Sequence, residues 1–182
     1  MAYPTISKPY GLLPINLIGG QVFAGQTRQL EIASGYNTNI FYGDVVSMVN
    51  TGTIEKETGT STVATNGVAG IFLGVQYISA ATGQLTFSQY YPASLAIKSG
   101  TKIQAFVQDD PDVLFNVAAV SSGTTIAFYA QSVIGTNVQL IQNAGSTTTG
   151  DSAVAIDGAT FAATATHPIR VVAGVPDTAN SA

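Results

Sequence analysis

The stretch Val68–Ile78 reads VAGIFLGVQYI, apolar along almost its whole length, with Gly70 and Gly74 inside it. A polar, threonine-rich loop at 59–67 precedes it and the turn pair Thr82-Gly83 follows. An apolar run bounded by turn signals reads as a buried strand, and a glycine inside a strand marks a close approach by another backbone.

Outward from this strand the pattern becomes alternation. On the N-terminal side Leu30 and Ile32 alternate with Gln29 and Glu31, and residues 44–49 form a second strand. Asn50-Thr51-Gly52 is a tight turn into a strand over 53–57. On the C-terminal side Leu85 and Phe87 alternate with Thr86 and Ser88, and Ile103, Ala105 and Val107 with Gln104 and Gln108. Val113, Phe115 and Val117 share a face, Ile126 and Phe128 follow, and Val138 and Leu140 continue the pattern. Asp157-Gly158 signals a hairpin between 153–156 and 160–163, and residues 169–172 form the last strand. Strands separated by turn signals roughly every ten residues predict an all-β fold, an antiparallel β-sandwich or barrel of roughly nine to eleven strands. Periodicity does not choose between sandwich and barrel.

Residues 1–20 carry Pro4, Pro9 and Pro14. Proline fixes φ and removes a backbone donor, so this segment is expected to be an extended arm outside any regular ladder. Its apolar residues Leu12, Leu13, Ile15, Leu17 and Ile18 must dock, on the chain's own body or on a neighbour. The expected organisation is an arm at 1–20 and a single β domain at 21–182, ending in a short flexible tail from Pro176. Removing residues 1–18 is then expected to leave the β body folded.

Composition narrows the function. Apolar residues make up 46% of the chain but charged residues only 9%, with no cysteine and one histidine. So few titratable groups favour a structural or binding protein over an enzyme. The mean hydropathy is +0.30, yet no run approaches the roughly 18 apolar residues that a membrane helix needs. The N-terminus lacks the pattern of a secretion signal. Residues 1–102 hold five bases and four acids, while residues 103–182 hold Arg170 against six aspartates. No basic stripe is available to neutralise phosphates, which argues against nucleic-acid binding.

Individual candidates for chemistry are weak. His167 has no G-x-S-x-G elbow to partner it and precedes Pro168 at a strand entry, where a structural role fits. One histidine cannot make a zinc site without acids around it. Asp109, Asp110 and Asp112 form the acidic cluster, readable as a turn between strands, as oxygen ligands for Ca²⁺, or as a negative knob at an interface. The turn and the knob suit the spacing better, because the EF-hand pattern is missing. Gly145 to Gly150 lacks the lysine of a phosphate loop. No catalytic, metal or cofactor residue is therefore assigned. Eight tyrosines could build a sugar platform, though tyrosine equally suits sheet faces and interfaces.

The runs IASGYNTNIFYGDVV (32–46), NTGTIEK, AGIFLGVQY, FVQDDPDVLFNV, GSTTTGDSAVAI and HPIRVV together resemble small virion structural proteins of tailed bacteriophages, the capsid decoration or cement proteins. The resemblance covers about residues 11–175. It implies a protein on the outer surface of the virion, made in the bacterial host cytoplasm, that bridges capsomers and stabilises the capsid. Its implied partners are the phage major capsid protein and further copies of itself, as dimers or trimers, with no nucleic acid, membrane or cofactor. Candidate interface residues are Tyr3, Tyr10, Leu12, Leu13, Ile15 and Leu17 in the arm, Tyr36, Phe41 and Tyr42 in the loop at 34–43, and Asp109, Asp110 and Asp112. The alternative is a head-fibre or host-attachment module that binds cell-surface glycans. A polymer hydrolase would need paired carboxylates facing one groove, and the acids here fall mainly in turns.

Overall fold

The computed structural model of the 182-residue chain describes residues 9–60, 67–163 and 165–175. Tyr3 and the C-terminal tail lie outside them. The fold is all-β, as the alternation predicts, and its centre is a closed ring of five strands. Around the ring run β2 (Arg28–Ile32), β7 (Ile103–Gln108), β5 (Val68–Ile78), β3 (Val45–Met48) and β4 (Ile54–Lys56), which returns to β2. The closing contact is the single parallel pairing Ile32↔Ile54, and every other neighbour in the ring is antiparallel. A sixth strand, β6 (Leu85–Ser88), extends the sheet from β5 outside the ring.

Fourteen strands are present among the described residues, more than expected. The excess comes from short pieces that cover one side of the ring. These are β1 (Leu13–Leu17) with β8 (Val113–Asn116), β11 (Asn137–Val138) with β14 (Ile169–Arg170), and a four-stranded sheet. That sheet runs β10 (Thr125–Ile126), β9 (Ala119–Ser122), β13 (Ala155–Asp157), β12 (Leu140–Ile141), with β9 and β13 parallel.

Two apolar cores follow. Inside the ring lie Ile32, Val46, Ile54, Phe72, Val75, Tyr91, Ile103 and Val107. The second core, between the ring and its cover, holds Leu12, Val45, Ile71, Val138, Leu140, Val154 and Ile156. Strands β3 and β5 serve both: Val46 and Phe72 point inward, Val45 and Ile71 outward. That is why β5 reads as nearly continuous apolar sequence: at its centre, around Ile71 and Phe72, both faces are packed. The register on β7 shifts between Phe72 and Gly74, so Phe72 and Val75, three residues apart, both reach the ring interior. Gly70 has φ +152, and a Cβ there would collide with the backbone oxygen of Gln108. The expected close approach at this glycine is thus real, and it packs β7 against β5.

Three expectations change. Arm residues 13–17 do sit in a ladder, paired with β8, with an irregularity between Pro14 and Asn16 that accommodates the missing donor. Asp157-Gly158 is a turn but not a hairpin: β13 pairs with β12 and β9, while Ala162 bridges Asn137. Val138 and Leu140 belong to separate strands, because the chain switches sheets at Gln139.

Candidate interaction surface

Arm, loop and acidic turn, chosen separately from the sequence, are joined by the fold. The Leu12 amide donates to Gly43 O at 3.0 Å, beside the loop. Five residues on, Leu17 pairs with Val113, and the Ile18 amide donates to Asp112 O at 2.7 Å. The arm therefore runs as a strap from the 41–43 loop to the 109–112 turn, roughly 20 Å at the usual rise of an extended chain.

At its far end the strap turns back on itself. The Leu17 amide donates to Gln21 O at 2.8 Å, the Gly20 amide to Leu17 O at 2.9 Å, and Asn16 bridges Val22. Gly20 takes φ +79 at the tip, a conformation that glycine adopts without strain. This hairpin presents Ile15 (45% exposed), Ile18 (61%) and Val22 (78%) to solvent. No charged residue occurs from 9 to 27. Leu13 and Leu17 are half-buried against β8, and Leu12 is buried in the second core, so Leu12 is not available as a contact. Tyr10 is half-buried as well, and burial raises its hydroxyl pKa.

The acidic turn is organised locally. Asp109 pairs with Arg28 Nε at 2.8 Å, and Asp110 accepts from the Asp112 amide at 2.9 Å. Asp112 is exposed beside Ile18. Among the described residues no group of three His, Cys, Asp or Glu side chains is placed to hold a metal ion. Asp110 shapes the turn, Asp109 ties it to β2, and Asp112 presents an exposed carboxylate.

Of the proposed aromatic anchors, two are engaged inside the molecule. Phe41 is buried, stacked on Tyr90 at 5.6 Å between centroids, with the Lys56 ammonium 5.7 Å from its ring. The Tyr36 hydroxyl accepts from the Lys56 amide at 3.0 Å, and its backbone oxygen accepts from the Tyr91 hydroxyl at 2.8 Å. Desolvation raises the pKa of both phenols, outweighing the hydrogen bonds that lower it. Tyr42, half-buried like Tyr36, lines a groove of about 380 Å³ together with Leu73, Phe87, Gln89 and Phe106.

Sequence reasoning missed two features. The first is a buried polar centre: Asp44, with no solvent exposure, accepts from Ser152 Oγ at 2.6 Å and the Phe41 amide at 2.9 Å, and pairs with Lys56 at 2.9 Å. Asp44 stands among apolar neighbours, but Lys56 lies between Glu55 and Glu57, so residue order does not single out the pair. No histidine joins this serine and aspartate; the His167 ring contacts Gln139 at 3.2 Å. The second is β6, where Leu85 (58%) and Phe87 (65%) stand exposed in a stretch, 58–97, without a single charge.

Compared with known protein families, with curated proteins and with solved structures, the chain has no match. Among the described residues no helix is long and apolar enough to cross a membrane.

Proposed function

We propose that this chain is a structural virion protein that decorates the outer surface of a tailed-phage capsid and stabilises it by bridging neighbouring capsomers. The observation that carries the reading is the hairpin at 13–22. It is an apolar, charge-free projection on a closed barrel, flanked by the exposed carboxylate of Asp112. An isolated domain gains nothing from Ile18 and Val22 in water, whereas a partner groove would desolvate both. The strap is tied at both ends, to Gly43 and to Asp112, so force on the hairpin passes to the second core through Leu12 and to β8 through the ladder. Many modest contacts of this kind add up over a multivalent shell. The resemblance to decoration proteins over about residues 11–175 points the same way.

The test is co-sedimentation with capsids stripped of the protein, using the wild-type chain and Ile18→Asp/Val22→Asp. Saturable binding at a ratio set by icosahedral symmetry, lost in the variant, supports the reading. Equal binding by both overturns the hairpin's role, and no binding by the wild-type overturns the function. A second reading, a glycan-binding attachment module, draws on the groove between Tyr42, Phe87 and Phe106, where Gln89 is hydrogen-bonded to Asp151 at 2.6 Å. Glycan-array binding abolished by Tyr42→Ala would favour it.

A further inference from the structure

Strand β6 ends its sheet, and β5 is its one ladder partner among the described residues. Which of its backbone groups are free follows from parity. The Ser79 amide donates to Gln84 O at 3.0 Å, so the 79/84 pair is a hydrogen-bonded one. In an antiparallel ladder such pairs alternate, so Thr86 opposite Tyr77 and Ser88 opposite Val75 also point inward. The amides and carbonyls of Leu85 and Phe87 therefore face the open edge.

Soluble proteins guard such an edge with lysine, proline or a bulge. Strand β6 has none of these, and the whole run from 58 to 97 is uncharged. Its two exposed side chains, Leu85 and Phe87, lie on one face, where Phe87 stacks on Phe106 at 6.4 Å.

We propose that this edge is an interface between two copies of the chain, formed by antiparallel pairing of β6 with itself about a two-fold axis at Thr86. The occupant is a second copy because the strand complements itself in this register. Leu85 of each copy meets Phe87 of the other, and all four outward-facing residues exchange hydrogen bonds. Two uncharged edges also meet without the like-charge repulsion that a chain of net charge −4 would otherwise bring. The ladder is short, so the pair is weak in dilute solution and gains from being held on a common surface. This inference concerns the free protein and stands whether or not the capsid reading holds.

The register has a chemical test, because the chain contains no cysteine. At the two-fold, Thr86 faces its own copy as a non-hydrogen-bonded pair, with Cα atoms about 4.5 Å apart, within disulfide reach. Full-length Thr86→Cys should oxidise to a covalent dimer far faster than Ser121→Cys, an exposed control on β9. Sedimentation velocity on the wild-type chain should show a concentration-dependent dimer. Leu85→Lys and Phe87→Lys should raise its dissociation constant by about tenfold or more. Both positions are exposed, and only Phe87 has a ring contact to lose, with Phe106, so the melt of Leu85→Lys should remain close to wild type and separates lost pairing from lost folding.

A monomer at every concentration with no preferential cross-linking overturns the proposal. So does a dimer indifferent to both lysine variants, which would place the interface elsewhere. A monomer whose lysine variants lose capsid binding would also overturn it, assigning the edge to the shell protein.

Discussion

Lys56 Nζ lies 2.9 Å from Asp44 Oδ2, and the carboxylate has no exposure to solvent while the lysine side chain keeps 12%. The pair connects the start of β3 to the end of β4. With Ser152 and the Phe41 amide on the same carboxylate, it also fixes the loop that carries the strap's first anchor. Removing one member strands the other. Lys56→Met should therefore cost about 3–5 kcal/mol in urea unfolding, and Asp44→Asn/Lys56→Met markedly less than the sum of its parts. Additive losses would show that the two charges do not act as a pair.

Gly70→Ala tests the closure of the ring. The residue has φ +152, and its Cβ would enter the space of the Gln108 carbonyl. Backbone strain and steric displacement together should cost about 3 kcal/mol or more, where Gly52→Ala, at φ +81 with open space, should cost only the strain of about 1–2 kcal/mol. Comparable unfolding midpoints for the two would contradict the close β5–β7 packing.

Stability should fall at alkaline pH. Burial raises the hydroxyl pKa of Tyr36 and Tyr91 above the ordinary value of 10.0, so the folded state holds these protons more tightly than the unfolded chain. Their contribution is complete below about pH 10 and is lost as pH climbs through the folded values. Tyr91→Phe removes one such group and the hydrogen bond to Tyr36 O, at about 1 kcal/mol near neutrality. Its urea midpoint should then decline less steeply than wild type above pH 10. Parallel curves would mean that Tyr91 contributes nothing to the alkaline loss.

The strap is part of the body. Leu12 is 2% exposed in the second core, so Leu12→Ala should cost about 2–4 kcal/mol. Deleting residues 1–18 removes that side chain and the β1 partner of β8, which should lower the melting temperature substantially. An unchanged melt would restore the view of a detachable arm.

Local signals account for what was readable. Strand β5 stands where its apolar run placed it, and β2 and β7 follow their alternation, because burial of one face or both is written directly into residue order. Strand β6 also forms where its alternation predicts, yet its apolar Leu85 and Phe87 make up the exposed face. The 109–112 turn and the tight turn at Gly52, with φ +81, were likewise legible from turn chemistry. The strap departs from expectation because proline limits a ladder without forbidding an irregular, two-stranded one. Phe41 is buried rather than offered to a partner, and a large aromatic in a loop looks the same in sequence in either case. The acid–base pair went unseen because its members are twelve residues apart and meet only when β3 and β4 close.

By itself, then, the sequence determined the all-β class, the main strands and the scarcity of chemical groups, all properties of short windows or of composition. Only tertiary structure decided that the sheet closes into a ring through Ile32 and Ile54, and that Asp44 is buried against Lys56. It also decided that Ile18 and Val22 face water beside Asp112, and that β6 is left with an open edge. The physical reason is common to all of these. Each depends on which distant strands pair, and pairing is settled by the burial of whole faces against one another, with no trace in the order of neighbouring residues.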